Sequence, residues 1–202
     1  MKTKSNGILS LITSRRSIRR YTSQQLSQED IKKIVEAGRW APSAVNGQPW
    51  RFIVISDSGI KKQVGDASRF YKVVNRHASD AAVIIAVCAK NKTYRWADMD
   101  CAIASQTMML QAHSLGIGSC FLGIFNEEKI KQILGLPEKM KVVNLITLGY
   151  PDGEGNAPPR LSFDDIVFYD GYDKNKKSGS MKEVVKPKSG VLSVLSRVVR
   201  KR

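Results

Sequence analysis

Histidine is nearly missing: the 202 residues hold two, His77 and His113. The three cysteines, Cys88, Cys101 and Cys120, are odd in number and lie inside apolar stretches. No pair of them has zinc-ligand spacing, so no metal site is expected. Buried free thiols in a reducing cytoplasm are the expected state. No apolar run reaches the roughly 18 residues that a spanning helix needs. The opening MKTKSNGILSLITSRRS has a weak apolar core and no small-residue cleavage site, and reads as a first helix, not a signal peptide. Neither GxGxxG nor GxxxxGKS/T occurs, which removes a Rossmann fingerprint and a P-loop. No Ser/His/Asp set or carboxylate pair has an interpretable arrangement.

Acid is also scarce, with 18 Asp/Glu against 33 Lys/Arg. The excess is uneven. Residues 1–173 carry 23 Lys/Arg and 17 Asp/Glu, whereas residues 174–202 carry 10 and one. The body is mildly basic and the tail strongly so. The expected organisation is one domain over 1–173 and a basic tail, flexible or an amphipathic helix, over 174–202. In SGVLSVLSRVVRKR, Val191, Leu192, Val194, Leu195, Val198 and Val199 make an apolar helical face ending in Arg200, Lys201 and Arg202. That tail is a candidate for contact with an anionic membrane or nucleic acid. Its alternatives are a solubilising tail or a helix docked on the body.

The patterns predict alternating elements. SQEDIKKIVEA (27–37) reads as a helix capped by Ser27, with Gly38 as its stop. WRFIVIS is a strand, SGIKKQVGDASRFYKVVNR an interrupted helix, and AAVIIAVCA a strand covered on both faces. YRWADMDCAIASQTMMLQAHSLG is the strongest helix. It is apolar around Met99, Ile103, Met108, Leu110 and Leu115, so it is expected to be buried, with Gly116 as its stop. IGSCFLGIF is strand then turn, NEEKIKQIL a helix capped by Asn126, and KVVNLITLGYP a buried strand. LSFDDIVFY is expected as a last short strand or extended arm. His113 is expected to be packed or capping, His77 exposed, and Asp98 and Asp100 in dipole roles at the helix start.

Three stretches stand out. Arg15, Arg16, Ser17 and Arg19 bring guanidinium forks and a hydroxyl together, as a phosphate requires; the alternative is a solvated basic turn. APSAVNGQPW is a rigid polar loop in which Ser43 and Asn46 could meet a heteroaromatic edge, or an ordinary loop. LGIGSCFLGIFN is a glycine-rich turn that admits a flat ligand, or simply a helix end.

The set RRSIRRY, APSAVNGQPWRFIVI, LGIGSCFLGIF and ITLGYPDGEGNAPPR resembles the nitroreductase family of flavin enzymes, in the family's order over roughly residues 8–170. The resemblance implies an α+β fold, a mixed, mainly antiparallel sheet wrapped by helices, with FMN at a homodimer interface. It implies that Arg15, Arg16 and Ser17 hold the phosphate end and that Arg19 reaches the N1–O2 side of the ring. Pro42, Ser43, Ala44 and Asn46 would lie against the flavin of the partner subunit. Asn75 would meet the pyrimidine edge, Leu122, Gly123 and Ile124 would run beside the ring, and Arg160 would close on the phosphate. The implied reaction is ping-pong hydride transfer from NAD(P)H through flavin N5 to a nitroaromatic, quinone or similar acceptor, with no catalytic side chain assigned. The short KNKTYRWADMD connection is that of a small family member with an open pocket, and Tyr94, Arg95 and Trp96 are candidates for its rim.

Overall fold

The computed structural model describes residues 7–70, 73–74, 77–91, 94–153, 155 and 157–173. Asn75 and the whole basic tail, both singled out above, lie outside the described residues. The chain divides into two compact units, one ending at Gly155 and one beginning at Asn156.

The first unit is built on a four-stranded sheet. Its strands are β1 (Trp50–Ile55), β4 (Val83–Ala89), β5 (Gly118–Leu122) and β6 (Lys141–Gly149), in the order β1-β4-β6-β5. All three pairings are antiparallel. A parallel component enters through one isolated bridge, Ser17 to Ser119. Between β1 and β4 lies a two-residue-per-arm ladder, β2 (Arg69–Phe70) with β3 (Val73–Val74).

β4 is buried at all seven positions, as its unbroken apolar sequence predicts. Its period of two divides it between two cores. Val83, Ile85, Val87 and Ala89 join a cluster with α2 (Gln28–Arg39) and α5 (Ala97–Ser114). Ile84, Ala86 and Cys88 join another with α3 (Ser58–Ala67), α4 (His77–Asp80) and α6 (Glu127–Leu134). Each fully buried Ile or Val contributes about 1.5–3 kcal/mol, so this strand fixes both layers at once. All three cysteines are buried free thiols.

Capping follows the sequence. Ser27 accepts from the Asp30 amide and Asn126 from that of Lys129. The amide of Gly116, at φ +73, closes α5 onto the His113 carbonyl.

Several expectations are corrected. Gly38 does not stop α2; the helix continues to Arg39. A Cβ there would stand 2.7 Å from Met108 Cγ, so this glycine permits close packing of α2 on α5. In α5 the buried side is made of small residues, Ala97, Cys101, Ala104, Ser105 and Ala112, with Met108 and Met109. Met99 and Ile103, expected inside, are exposed. His77, expected exposed, is buried.

The second unit, described by itself, contains α7 (Phe163–Ile166) where a strand or arm was expected. Ser162 accepts from the Asp165 amide and donates to Asp165 Oδ2 at 2.8 Å. This reciprocal cap starts a helical turn and overrides the β-propensity of its neighbours. Arg160 donates to the Pro158 carbonyl at 3.3 Å.

No helix among the described residues is long and apolar enough to cross a membrane.

Candidate active site

α1 (Gly7–Ser14) ends where the arginines begin. The chain then runs beside β5. The Ile18 amide donates to the Ser119 carbonyl at 2.9 Å, and the Thr22 amide to that of Tyr150 at 2.9 Å. Tyr21 fixes the run from below: its hydroxyl donates to the Ile18 carbonyl and lies 2.7 Å from Thr147 Oγ1. These bonds anchor the run to the sheet. No carboxylate among the described residues pairs with Arg15, Arg16 or Arg19. Three cations in five residues, with no carboxylate partner among the described residues, repel one another, so an anion among them is favoured.

Arg15 and Arg16 line a cavity of about 440 Å³ at the start of β5, together with Ser14, His113 and Ser119. Arg16 Nη1 donates to the carbonyls of Thr13 (2.7 Å) and Arg15 (2.9 Å), which holds its fork in place. Ser119 is 2% exposed, and its Oγ has no hydrogen-bond partner among the described residues. An orphan buried hydroxyl is costly, and here it lies on the wall of a cationic cavity. His113 Nε2 lies 2.9 Å from Ser14 Oγ. Burial, then Arg15 and Arg16, hold its pKa below the ordinary value.

Arg19 faces another neighbourhood. Burial raises the Cys120 thiol, and Arg19 pulls against that rise. The buried His77 has its pKa lowered by burial first and by Arg19 second, and its Nε2 has no hydrogen-bond partner among the described residues. Gly123 follows directly after β5. Gly123 is exposed, and a Cβ there would meet only Phe121 Cε1, at 3.6 Å. Leu122 itself is buried in the α3/α6 core, and Ile124 is half-buried.

The loop 42–49 is shaped by its backbone. Val45, Asn46 and Gln48 all have positive φ, at 47°, 56° and 42°, a region that non-glycine residues seldom occupy. Side chains from elsewhere hold it there. Asp100 Oδ1 accepts from the Ala44 amide at 3.2 Å, and Tyr94 Oη donates to the Ala44 carbonyl at 2.9 Å. Within the loop, Ser43 Oγ accepts from the Gln48 amide, and Asn46 Oδ1 from Gln48 Nε2. Pro42 and Asn46 are exposed, Ser43 and Ala44 half-buried.

The structure therefore joins Arg15, Arg16 and Ser17 along β5 and places Arg19 beside Cys120. Sequence reasoning missed Ser119 and the Ser14–His113 contact. It read Asp100 as a helix-start residue, whereas its carboxylate holds the loop. Tyr94, a rim candidate, is a loop anchor. No pattern in the sequence flags Ser119, because a serine inside a strand carries no motif. Among the described residues no cluster of His, Cys, Asp or Glu could hold a metal ion.

Comparison with known proteins gives consistent results. A profile described as the nitroreductase family matches residues 12–70 and 69–150. A protein of Archaeoglobus fulgidus, provisionally named NADH dehydrogenase/NAD(P)H nitroreductase, is 40% identical over 154 residues, covering 72% of this chain and 86% of its own. The crystal structure of a similarly named Parabacteroides distasonis protein superimposes with a TM-score of 0.76 at 27% identity, covering 83% of this chain and all of that one. A structure called FMN-dependent nitroreductase, from Clostridium difficile R20291, gives 0.70 at 27% identity, covering 83% and 99%.

Proposed function

The chain belongs to the nitroreductase family, and from that premise we propose that it is an NAD(P)H-dependent oxidoreductase that carries FMN. The observation that carries the reading is the cavity: around about 440 Å³ stand two guanidinium groups and one buried hydroxyl that, among the described residues, have no carboxylate partner and no hydrogen-bond partner respectively. These groups fit the phosphate end of a flavin nucleotide, since each supplies donors that an oxyanion accepts. The bound flavin would take hydride from NAD(P)H and pass it to a nitroaromatic, quinone or similar acceptor.

In this reading the residues divide the work. Arg15, Arg16 and Ser17 bind the phosphate end. Arg19 offers positive charge where a reduced ring gathers negative charge, which favours reduction. The exposed Gly123, with Leu122 and Ile124 on either side, leaves room for a flat ring, and Asn75 is the candidate for its pyrimidine edge. Pro42, Ser43, Ala44 and Asn46 belong to a homodimer, lying against the partner's flavin. Exposed Ile8, Leu9 and Ile12 on α1, and Met99 and Ile103 on α5, support a dimer because such apolar surface is better covered than wet.

The test is the absorbance spectrum of the purified protein, followed by denaturation and identification of the released chromophore. Flavin bands and released FMN are expected. A colourless protein that takes up no added FMN would overturn the proposal. Light scattering that returns one chain's mass would remove the dimer.

A further inference from the structure

We propose that Ser119 and the Ser14–His113 pair are additional oxyanion ligands of the cavity that carries Arg15 and Arg16, and that His113 takes up a proton as the anion seats. The flavin reading names this oxyanion as the phosphate of FMN; the assignment of the ligands rests on the cavity alone. Ser119 is the only wall residue whose hydroxyl is both buried and without a partner among the described residues. A hydroxyl can turn its O–H toward an oxyanion, which ends the orphaning.

His113 stands in the last turn of α5, where the helix dipole favours a cation. Ser14 Oγ also lies 3.3 Å from the Leu11 carbonyl. With Ser14 donating there, the assigned tautomer has Nε2–H donating to Ser14, which leaves Nδ1 to accept a proton. The charged groups that bear on the imidazole are Arg15 and Arg16. Neither α1 nor the rest of the last turn of α5 carries an ionisable side chain. In β5 the one titratable group, Cys120, belongs to the opposite core, and Asp152 after Pro151 is exposed. Burial and the two arginines hold the His113 pKa below its ordinary value when the cavity holds no anion. A dianion cancels their charge, so the bound form holds the proton more tightly. Binding then strengthens as pH falls between the two His113 midpoints, by about tenfold for each unit separating them.

The test uses the full chain and NMR of the imidazole signals, which are two and separable by a His113→Gln variant. Sulfate is the probe, because it stays doubly charged where phosphate, with a second pKa of about 6, does not. Sulfate should raise the His113 midpoint far more than that of His77. Its affinity should rise toward acid in the wild type and stay flat in His113→Gln. Ser119→Ala should weaken sulfate about tenfold, and Lys62→Ala should leave it unchanged. Absence of sulfate binding, a His113 midpoint unmoved by bound sulfate, or a Ser119→Ala variant that binds like wild type would each overturn the assignment. A parallel FMN titration separates the two readings. FMN that binds without moving His113 leaves the flavin proposal standing and removes this one. Sulfate that moves His113 in a chain that binds no FMN does the reverse.

Discussion

The segment 15–19 and the loop 42–49 are both polar, and both were read as parts of one ligand site. They are built in opposite ways. The first is bonded to the sheet through the Ile18 amide, and its cationic side chains have no carboxylate partner among the described residues. The second has no charged residue, bonds its side chains to itself, and holds three residues in left-handed backbone. One region works through side-chain type and the other through conformation. Side-chain type is written in the sequence. Conformation depends on Asp100 and Tyr94, some fifty residues away, and is not.

The largest effect should come from the charged region. Arg15→Gln with Arg16→Gln removes two charge-assisted donors, each worth about 1.5–3 kcal/mol. FMN affinity should fall by about 10²–10⁴-fold with little change in melting temperature, since neither guanidinium is paired to a carboxylate among the described residues. Flavin fluorescence titration measures it. Unchanged affinity would mean the cavity is not the anion site, and the contrast between the regions would lose one side.

The loop should respond through stability instead. A Cβ on Gly47 would stand 2.7 Å from Tyr94 Oη and 3.1 Å from the Ala44 carbonyl oxygen. Gly47→Ala should cost about 1–3 kcal/mol, as overpacking does. Tyr94→Phe removes the clashing oxygen and also the bond to Ala44. The double variant should therefore lose less than the sum of the singles. Strict additivity in denaturant melts would show that Tyr94 does not hold the loop.

Much of the fold was legible for the same reason that the arginines were. The run AAVIIAVCA can only be a strand covered on both faces, and Asn126 and Ser27 announce their helices by cap chemistry. The misreadings share a cause. Gly38 looked like a helix stop, yet its role depends on Met108, seventy residues on. His77 sits in a polar stretch, and its burial depends on the packing of α4. Met99 and Ile103 looked like core because apolar character was taken as burial, while α5 packs through its alanines. Ser119 was invisible, because an orphan hydroxyl is a property of its surroundings.

A smaller change tests the loop from the other side. Val45 is β-branched, at φ 47°, and its side chain is almost fully exposed. Val45→Gly removes the local strain and no packing, so stability should hold or rise by up to about 1 kcal/mol. If the strained backbone serves binding, flavin affinity should nevertheless fall, because a glycine there samples other conformations. Raised stability with unchanged affinity would make the conformation incidental.

The smallest effect again divides the regions, this time by pH. His77 is held below its ordinary pKa, by burial first and Arg19 second, so it stays neutral in the folded chain where the unfolded chain protonates. The unfolded state then binds more protons as pH falls below the ordinary histidine value of about 6.5, and stability declines from there down to the folded midpoint. His113 contributes with the same sign. In His77→Asn the melting temperature should fall less steeply on acidification than in the wild type, with His113 supplying what remains of the histidine-linked slope. Loop variants should shift the whole curve without changing its slope, since residues 42–49 hold no titratable side chain. A slope unaltered by His77→Asn would mean that burial near Arg19 does not hold this imidazole neutral.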